Sequence, residues 1–325
     1  MRPHPRRALL SLGPALALSL LLVAAALISW RALPQQGGEA LRQVVPMTAE
    51  KSLGVNADLS DLDGSTLAGE IGSSEGRGFR WLRHRFAWDA IEPARGSFDW
   101  RASDRVVAAA RREGLKVIAV LDGSPAWARA PEDQENAFAP PVEVRDYGDW
   151  VQGFVERYGD AIDHYQIWDE PNIAPHWGKR EIDPVAYGRL LREGAIRVRA
   201  GDPGAVVLAA ALAPNVEPGG ANMSDLVFLD LLYDAGAGSW FDIVAGQTYP
   251  FDVPLATSPS PAQLSWRRLE LLRQVMLSHG DGGTAMWAVS LGLPIAAEEA
   301  GDVAAAALAL RGARLDWPWL GPILW

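Results

Sequence analysis

Trp168-Asp169-Glu170-Pro171-Asn172 sets two carboxylic acids side by side, flanked by an indole and a proline, directly after an apolar run that reads as a strand. A carboxyl enclosed in this way is partly dehydrated, which suits it to giving and taking a proton as a general acid/base. For an isolated Glu the plainer reading, a loop carboxylate bonded to backbone, would be the stronger. Other chemistry is thinly represented. The five His (His4, His84, His164, His176 and His279) are scattered without metal-ligand spacing. Ser124 and Ser290 show no evident pairing with a His and an Asp, although a triad need not be close in sequence. No phosphate-binding loop is present, and neither a metal nor a cofactor is implied.

Composition narrows the classes further. The 325 residues contain no Cys, which excludes a disulfide scaffold, a thiolate zinc site, an iron–sulfur cluster and a Cys nucleophile together. With 40 Asp+Glu against 30 Lys+Arg and a net charge of -10, there is no basic footprint for a nucleic-acid partner. The 14 Trp equal Phe and Tyr combined, so indole faces are expected to serve some purpose.

The elements that must position the acids come next. Residues 1–30 read as an N-terminal transmembrane helix or signal anchor: Arg2, Arg6 and Arg7 precede an uncharged run from Ala8 to Trp30, long enough to span a bilayer. A cleaved signal peptide competes, with Ala24-Ala25-Ala26 as a small-residue cleavage site, but the run exceeds a usual signal core. Either way the remainder is expected on the extracytoplasmic side, contacting the membrane through that helix alone. Residues 31–51, with Pro34 and Gly37-Gly38, read as a linker, leaving 52–325 as one barrel-sized domain.

Eight apolar or β-branched runs recur in 52–325: Leu53–Ala57, Phe79–His84, Leu115–Leu121, Ile162–Trp168, Val206–Ala211, Phe241–Thr248, Ala285–Ser290 and Trp319–Trp325. Helical patterns fall between them at 101–114, 146–158, 183–200, 224–236, 261–280 and 297–314, with a weaker one at 62–76. The alternation predicts an α/β fold, a (β/α)8 TIM barrel with near-continuously apolar strands. An open doubly wound sheet would want a Gly-rich turn after an early strand, and none is found. No eighth helix follows the eighth run, so another segment, or residues beyond this sequence, is expected to cover the first and last strands.

Trp168-Asp169-Glu170-Pro171-Asn172 resembles the Trp-Asn-Glu-Pro-Asn signature of the retaining (β/α)8 glycoside hydrolases, such as glycoside hydrolase families 5 and 39. Phe79-Arg80-Trp81-Leu82-Arg83, Trp88, Ile91-Glu92-Pro93 and Gly96-Ser97-Phe98-Asp99-Trp100 resemble the second-strand segment of that group, and Gly123-Ser124-Pro125-Ala126-Trp127 the loop after its third strand. Trp287-Ala288-Val289-Ser290-Leu291-Gly292-Leu293-Pro294 and Trp317-Pro318-Trp319-Leu320-Gly321-Pro322 are similar to its seventh and eighth strands. The resemblance implies a cleft for a poly- or oligosaccharide at the C-terminal strand ends. It makes Glu170 the acid/base, Arg83 the Arg that orients a carboxylate, Tyr249 a neighbour of the nucleophile and Trp325 a platform under the sugar. Trp88, Trp127 and Trp177, near strand ends, are further stacking candidates. For Arg83 and Tyr249 the plainer readings are a surface ion pair and a core residue.

The pattern also breaks. A retaining site uses two carboxylates about 5–5.5 Å apart, and the resemblance puts the nucleophile where this chain has Ser290. Asp169 replaces an Asn that donates to the sugar 2-hydroxyl, and an ionised Asp can only accept. Gln247 stands where the group usually has His, and Leu293 where it often has Trp. An inverting site could use Asp122, Asp252, Glu298 or Glu299 as its second carboxylate. The expectation is a hydrolase-lineage barrel whose catalysis is impaired or altered, with a catalytically inactive carbohydrate-binding barrel as the alternative.

Overall fold

The computed structural model describes residues 42–46, 52–62, 66, 69, 79–248, 253, 257–291 and 316–324. Eight strands form one closed parallel barrel: β1 (Leu53–Asn56), β2 (Phe79–Ala87), β3 (Lys116–Asp122), β4 (His164–Ile167), β5 (Val206–Leu208), β6 (Ile243–Thr248), β7 (Ala285–Leu291) and β8 (Leu320–Leu324). Each lies within or beside one of the eight apolar runs. Closure comes from β8 pairing with β1, Leu53 opposite Ile323 and Gly54 opposite Leu324. That seam is tight: a Cβ at Gly54 would stand 2.7 Å from both Leu324 Cγ and Trp81 Cβ, so only glycine fits.

Helices α1 (Arg101–Arg112), α2 (Val144–Tyr158), α3 (Pro184–Gly201), α4 (Asp225–Asp234) and α5 (Arg268–Ser278) pack around the strands. Their starts follow the sequence signals in places. Asp183 caps α3 by accepting from the Val185 and Ala186 amides, with Pro184 at the first helical position, where its missing N–H costs nothing. Apolar side chains divide into two cores, as burial on both faces of a parallel sheet requires. Trp81, Ile118, Leu208, Ile243, Ala245, Trp287, Val289 and Leu324 fill the barrel interior, and a larger cluster fills the shell between strands and helices.

Two differences from the sequence expectations have local causes. The fourth strand ends at Ile167, one residue short of the predicted run, because Trp168 turns into left-handed backbone at φ 69. Residues 42–46, read as linker, dock on the base of the barrel. The Gln43 amide donates to Asp242 at 2.7 Å, its side chain donates to the Pro203 carbonyl, Arg42 donates to Thr284, and Val45 packs on the interior core. Residues 1–30, the 297–314 helical pattern and nearly all of 62–76 lie outside the described residues, as do Tyr249, Asp252, Glu298, Glu299 and Trp325. Among the described residues no helix is long and apolar enough to cross a membrane.

Candidate active site

Immediately after β4 the chain makes a sharp turn in which both Trp168 (φ 69) and Glu170 (φ 48) take left-handed backbone. This conformation costs a residue with a side chain roughly 1–2 kcal/mol, so neighbours must hold it. The Trp168 amide donates to the Leu121 carbonyl at 3.0 Å, its indole N–H to the His176 carbonyl at 3.0 Å, and the Glu170 amide to the Ala211 carbonyl at 2.9 Å. Asn172, fully buried, accepts from the Ala213 amide and donates to the carbonyls of Ala213 and Met223. Glu170 and Asn172 therefore staple the turn to the segment after β5. Their rigidity aims Asp169 and Glu170 at the barrel mouth.

Arg83, 5% exposed on β2, spreads its guanidinium over three acceptors: Gln166 Oε1 from Nε at 3.0 Å, Asn56 Oδ1 from Nη1 at 3.0 Å and Asp169 Oδ1 from Nη2 at 2.6 Å. Gln166 completes a ring, donating from Nε2 to the same Asp169 oxygen at 2.8 Å and to the Trp168 carbonyl. The carboxylate that Arg83 orients is thus Asp169. Glu170 has a different set of neighbours. The Gln247 amide at the end of β6 donates to its Oε1 at 3.1 Å, and His176 Nδ1 lies 3.5 Å from its Oε2.

His176 is itself held flat. Its ring stacks on Phe138 with centroids 4.6 Å apart and planes 3° from parallel, and the Arg85 guanidinium lies over the Phe138 ring at 4.6 Å. Arg85 in turn donates to Asp122 Oδ1 at 2.5 Å, at the end of β3. Burial pushes the Asp122 carboxyl up to about 6 even though Arg85 opposes the shift. Locked under a guanidinium and 2% exposed, Asp122 is poorly placed to activate a water.

Of the expected site residues, Arg83, Asp169, Glu170 and Gln247 converge at the mouth. Ser290 is half-buried and stands opposite Gln247 in the register of β6 and β7. Two expectations are corrected. Trp88 is 0% exposed, stacked on Trp150 and donating to Glu92 Oε2 at 2.7 Å, and Trp177 is 1% exposed and edge-on to Tyr187. Both rings belong to the shell core and offer no face to a ligand. Trp127 is half-buried, with the Arg95 guanidinium over its ring at 4.2 Å. No motif in the sequence marks Asn56, Gln166, Phe138 or Arg85, and His176 stands there only as one of the scattered His. Asn56 and Gln166 carry a trace in the sequence, each a polar residue inside an apolar run. Among the described residues no group of His and acids could hold a metal ion.

The parallel eight-stranded barrel carries paired acids just after its fourth strand, and comparison with known proteins finds barrels similar to it. The family model for glycoside hydrolase family 42, beta-galactosidase, matches residues 66–131. A family 39 glycoside hydrolase from Bacteroides cellulosilyticus WH2 superimposes with a TM-score of 0.60 at 21% identity over 87% of this chain and 57% of that one. GH5_18 from Streptomyces cattleya, in complex with GlcNAc, gives 0.61 at 18% identity over 86% and 70%, and the endo-1,4-beta-mannanase from Rhizomucor miehei 0.59 at 13% over 85% of each. The chain therefore spans little more than half of the family 39 protein. No curated protein matches by sequence. The fold is a (β/α)8 barrel similar to the barrels of these glycoside hydrolases.

Proposed function

We propose that this protein is an exported, membrane-tethered barrel acting on O-glycosidic bonds of a poly- or oligosaccharide, with Glu170 as the proton donor. The observation that carries this reading is the setting of Glu170: a strained, stapled turn at the end of β4, with the Gln247 amide on one oxygen and His176 beside the other. Arg83 and Asp169 form the adjoining wall of the cleft, and the carbohydrate named in the GH5_18 complex supports a sugar as the ligand class. The uncharged run behind Arg2, Arg6 and Arg7 supports export. Ser290 stands where the resemblance calls for a nucleophilic Glu, so the chemistry departs from the retaining route through a carboxylate nucleophile. The competing reading, a glycan-binding barrel without turnover, draws on the same serine and on the sequestration of Asp122.

Turnover of aryl glycosides by the purified protein, by Glu170→Gln and by Ser290→Glu, each with and without azide, separates the two. The hydrolytic reading expects wild-type turnover that Glu170→Gln reduces by at least about 100-fold, the ordinary contribution of a general acid. Glycan binding without any Glu170-dependent turnover establishes the binding reading instead.

A further inference from the structure

Both protein donors that reach the Asp169 carboxylate, Arg83 Nη2 and Gln166 Nε2, bind its Oδ1. Oδ2 receives no hydrogen bond from any described residue, and the side chain keeps 18% of its surface open, next to Glu170 in the cleft. An ionised carboxylate can only accept, so the ligand group that meets Oδ2 is a donor, and the contact is strongest where that donor gains positive charge during reaction. The cleft meanwhile lacks a nucleophile on β7, where Ser290 stands, and its hydroxyl has no described base to activate it. A sugar with a 2-acetamido group brings both missing parts. Its N–H is the donor, and its carbonyl oxygen can close a five-membered ring onto its own anomeric carbon.

We infer that the cleft acts on glycosides of 2-acetamido sugars, Asp169 Oδ2 holding the acetamido N–H while the substrate's own carbonyl oxygen serves as nucleophile. The inference rests on Glu170 as proton donor. In the first step the carbonyl oxygen bonds to the anomeric carbon as the bond to the leaving oxygen breaks, and that oxygen takes the proton of Glu170. The product is a cyclic oxazolinium cation whose N–H lies on Asp169. Water then attacks the anomeric carbon and gives its proton to the Glu170 carboxylate, and the ring C–O bond breaks to restore the acetamide. Two inversions leave the anomeric configuration retained. The position asks for Asp because a carboxylate opposes the oxazolinium charge, whereas a neutral amide oxygen only accepts the hydrogen bond. Arg83 and Gln166 occupy Oδ1 and so fix which oxygen faces the substrate.

The test uses the full-length protein with methylumbelliferyl glycosides of N-acetylglucosamine and N-acetylgalactosamine, in both anomers, beside the matching 2-hydroxy glycosides. N-acetylglucosamine and N-acetylgalactosamine thiazolines, stable mimics of the cyclic intermediate, are titrated by calorimetry. At least one 2-acetamido glycoside should exceed its 2-hydroxy partner in kcat/KM by about 100-fold or more. Asp169→Asn should lower kcat by about 100-fold with KM little changed, and should weaken the thiazoline that wild type binds. Glu170-dependent cleavage of 2-hydroxy glycosides at equal or greater rate overturns the inference and leaves the proposed function standing. If neither series is cleaved and no thiazoline binds, both readings fall.

Discussion

Arg83 Nη2 and Asp169 Oδ1 meet at 2.6 Å, joining the middle of β2 to the turn after β4. The two side chains are 6% and 18% exposed, so the pair is largely desolvated. Removing one partner of such a pair strands the other charge and costs more than the pair itself contributes. Arg83→Met should therefore destabilise the barrel by about 2–4 kcal/mol in urea denaturation. Combined with Asp169→Asn, the loss should fall short of the sum of the single losses by at least about 1 kcal/mol. Additivity to within about 0.5 kcal/mol would mean that the two do not act as a unit.

Arg83→Lys tests geometry at constant charge. The guanidinium reaches three acceptors on three segments, Asn56, Gln166 and Asp169, and a single ammonium on a flexible stem cannot reproduce that fork. The expected outcome is a loss of about 1–3 kcal/mol, read in the same denaturation experiment. Wild-type stability in the lysine variant would show that charge alone suffices.

The strands were legible because a parallel sheet covered on both faces must be apolar along its length, and eight such runs can hardly be arranged otherwise. Glu170 was legible as an acid at the end of a run, and Arg83, Asp169 and Gln247 through the motifs that resemble the hydrolase pattern. The indoles misled. A Trp at a strand end can turn to the cleft or to the shell, and the residues that decide for Trp88, namely Trp150 and Tyr147 on α2, lie about 60 positions away. Phe138 was hidden for a related reason: it sits in the irregular segment between β3 and α2, where no periodicity marks an apolar residue as packed.

His164 opens β4 inside the base of the barrel, stacked on Trp287 with centroids 5.3 Å apart and edge-on to Trp81 at 4.8 Å. Burial, with Lys116 nearby, depresses its imidazole to about 3 from an ordinary 6.5. Between those values the unfolded chain binds a proton that the folded chain refuses. Its contribution is thus fully present above about pH 6.5 and is lost as pH falls towards 3, at up to about 1.4 kcal/mol per pH unit. His164→Leu should flatten the fall in urea midpoint between pH 6.5 and 4 relative to wild type. Parallel profiles would rule out His164 as the group responsible.

Arg268 and Asp225, each 1% exposed, form the most enclosed ion pair among the described residues, with Nη2 2.6 Å from Oδ1. The same guanidinium also donates to the carbonyls of Asn215, Pro261 and Gln263. It therefore ties α5 to α4, to the segment after β5 and to the segment after β6. Asn215 donates to the Ala213 and Met223 carbonyls, the two that Asn172 also holds. An unbroken chain of bonds thus runs from a helix pair on the outside of the barrel to the turn that aims Glu170. Arg268→Met leaves Asp225 as an unpaired buried charge and should cost about 3–5 kcal/mol, whereas Arg268→Met with Asp225→Leu should recover most of that loss. Recovered stability would not restore the ties to Asn215, Pro261 and Gln263. The double variant should fold yet bind ligand more weakly than wild type, and equal affinity in the two would show that the turn after β4 holds its shape without them.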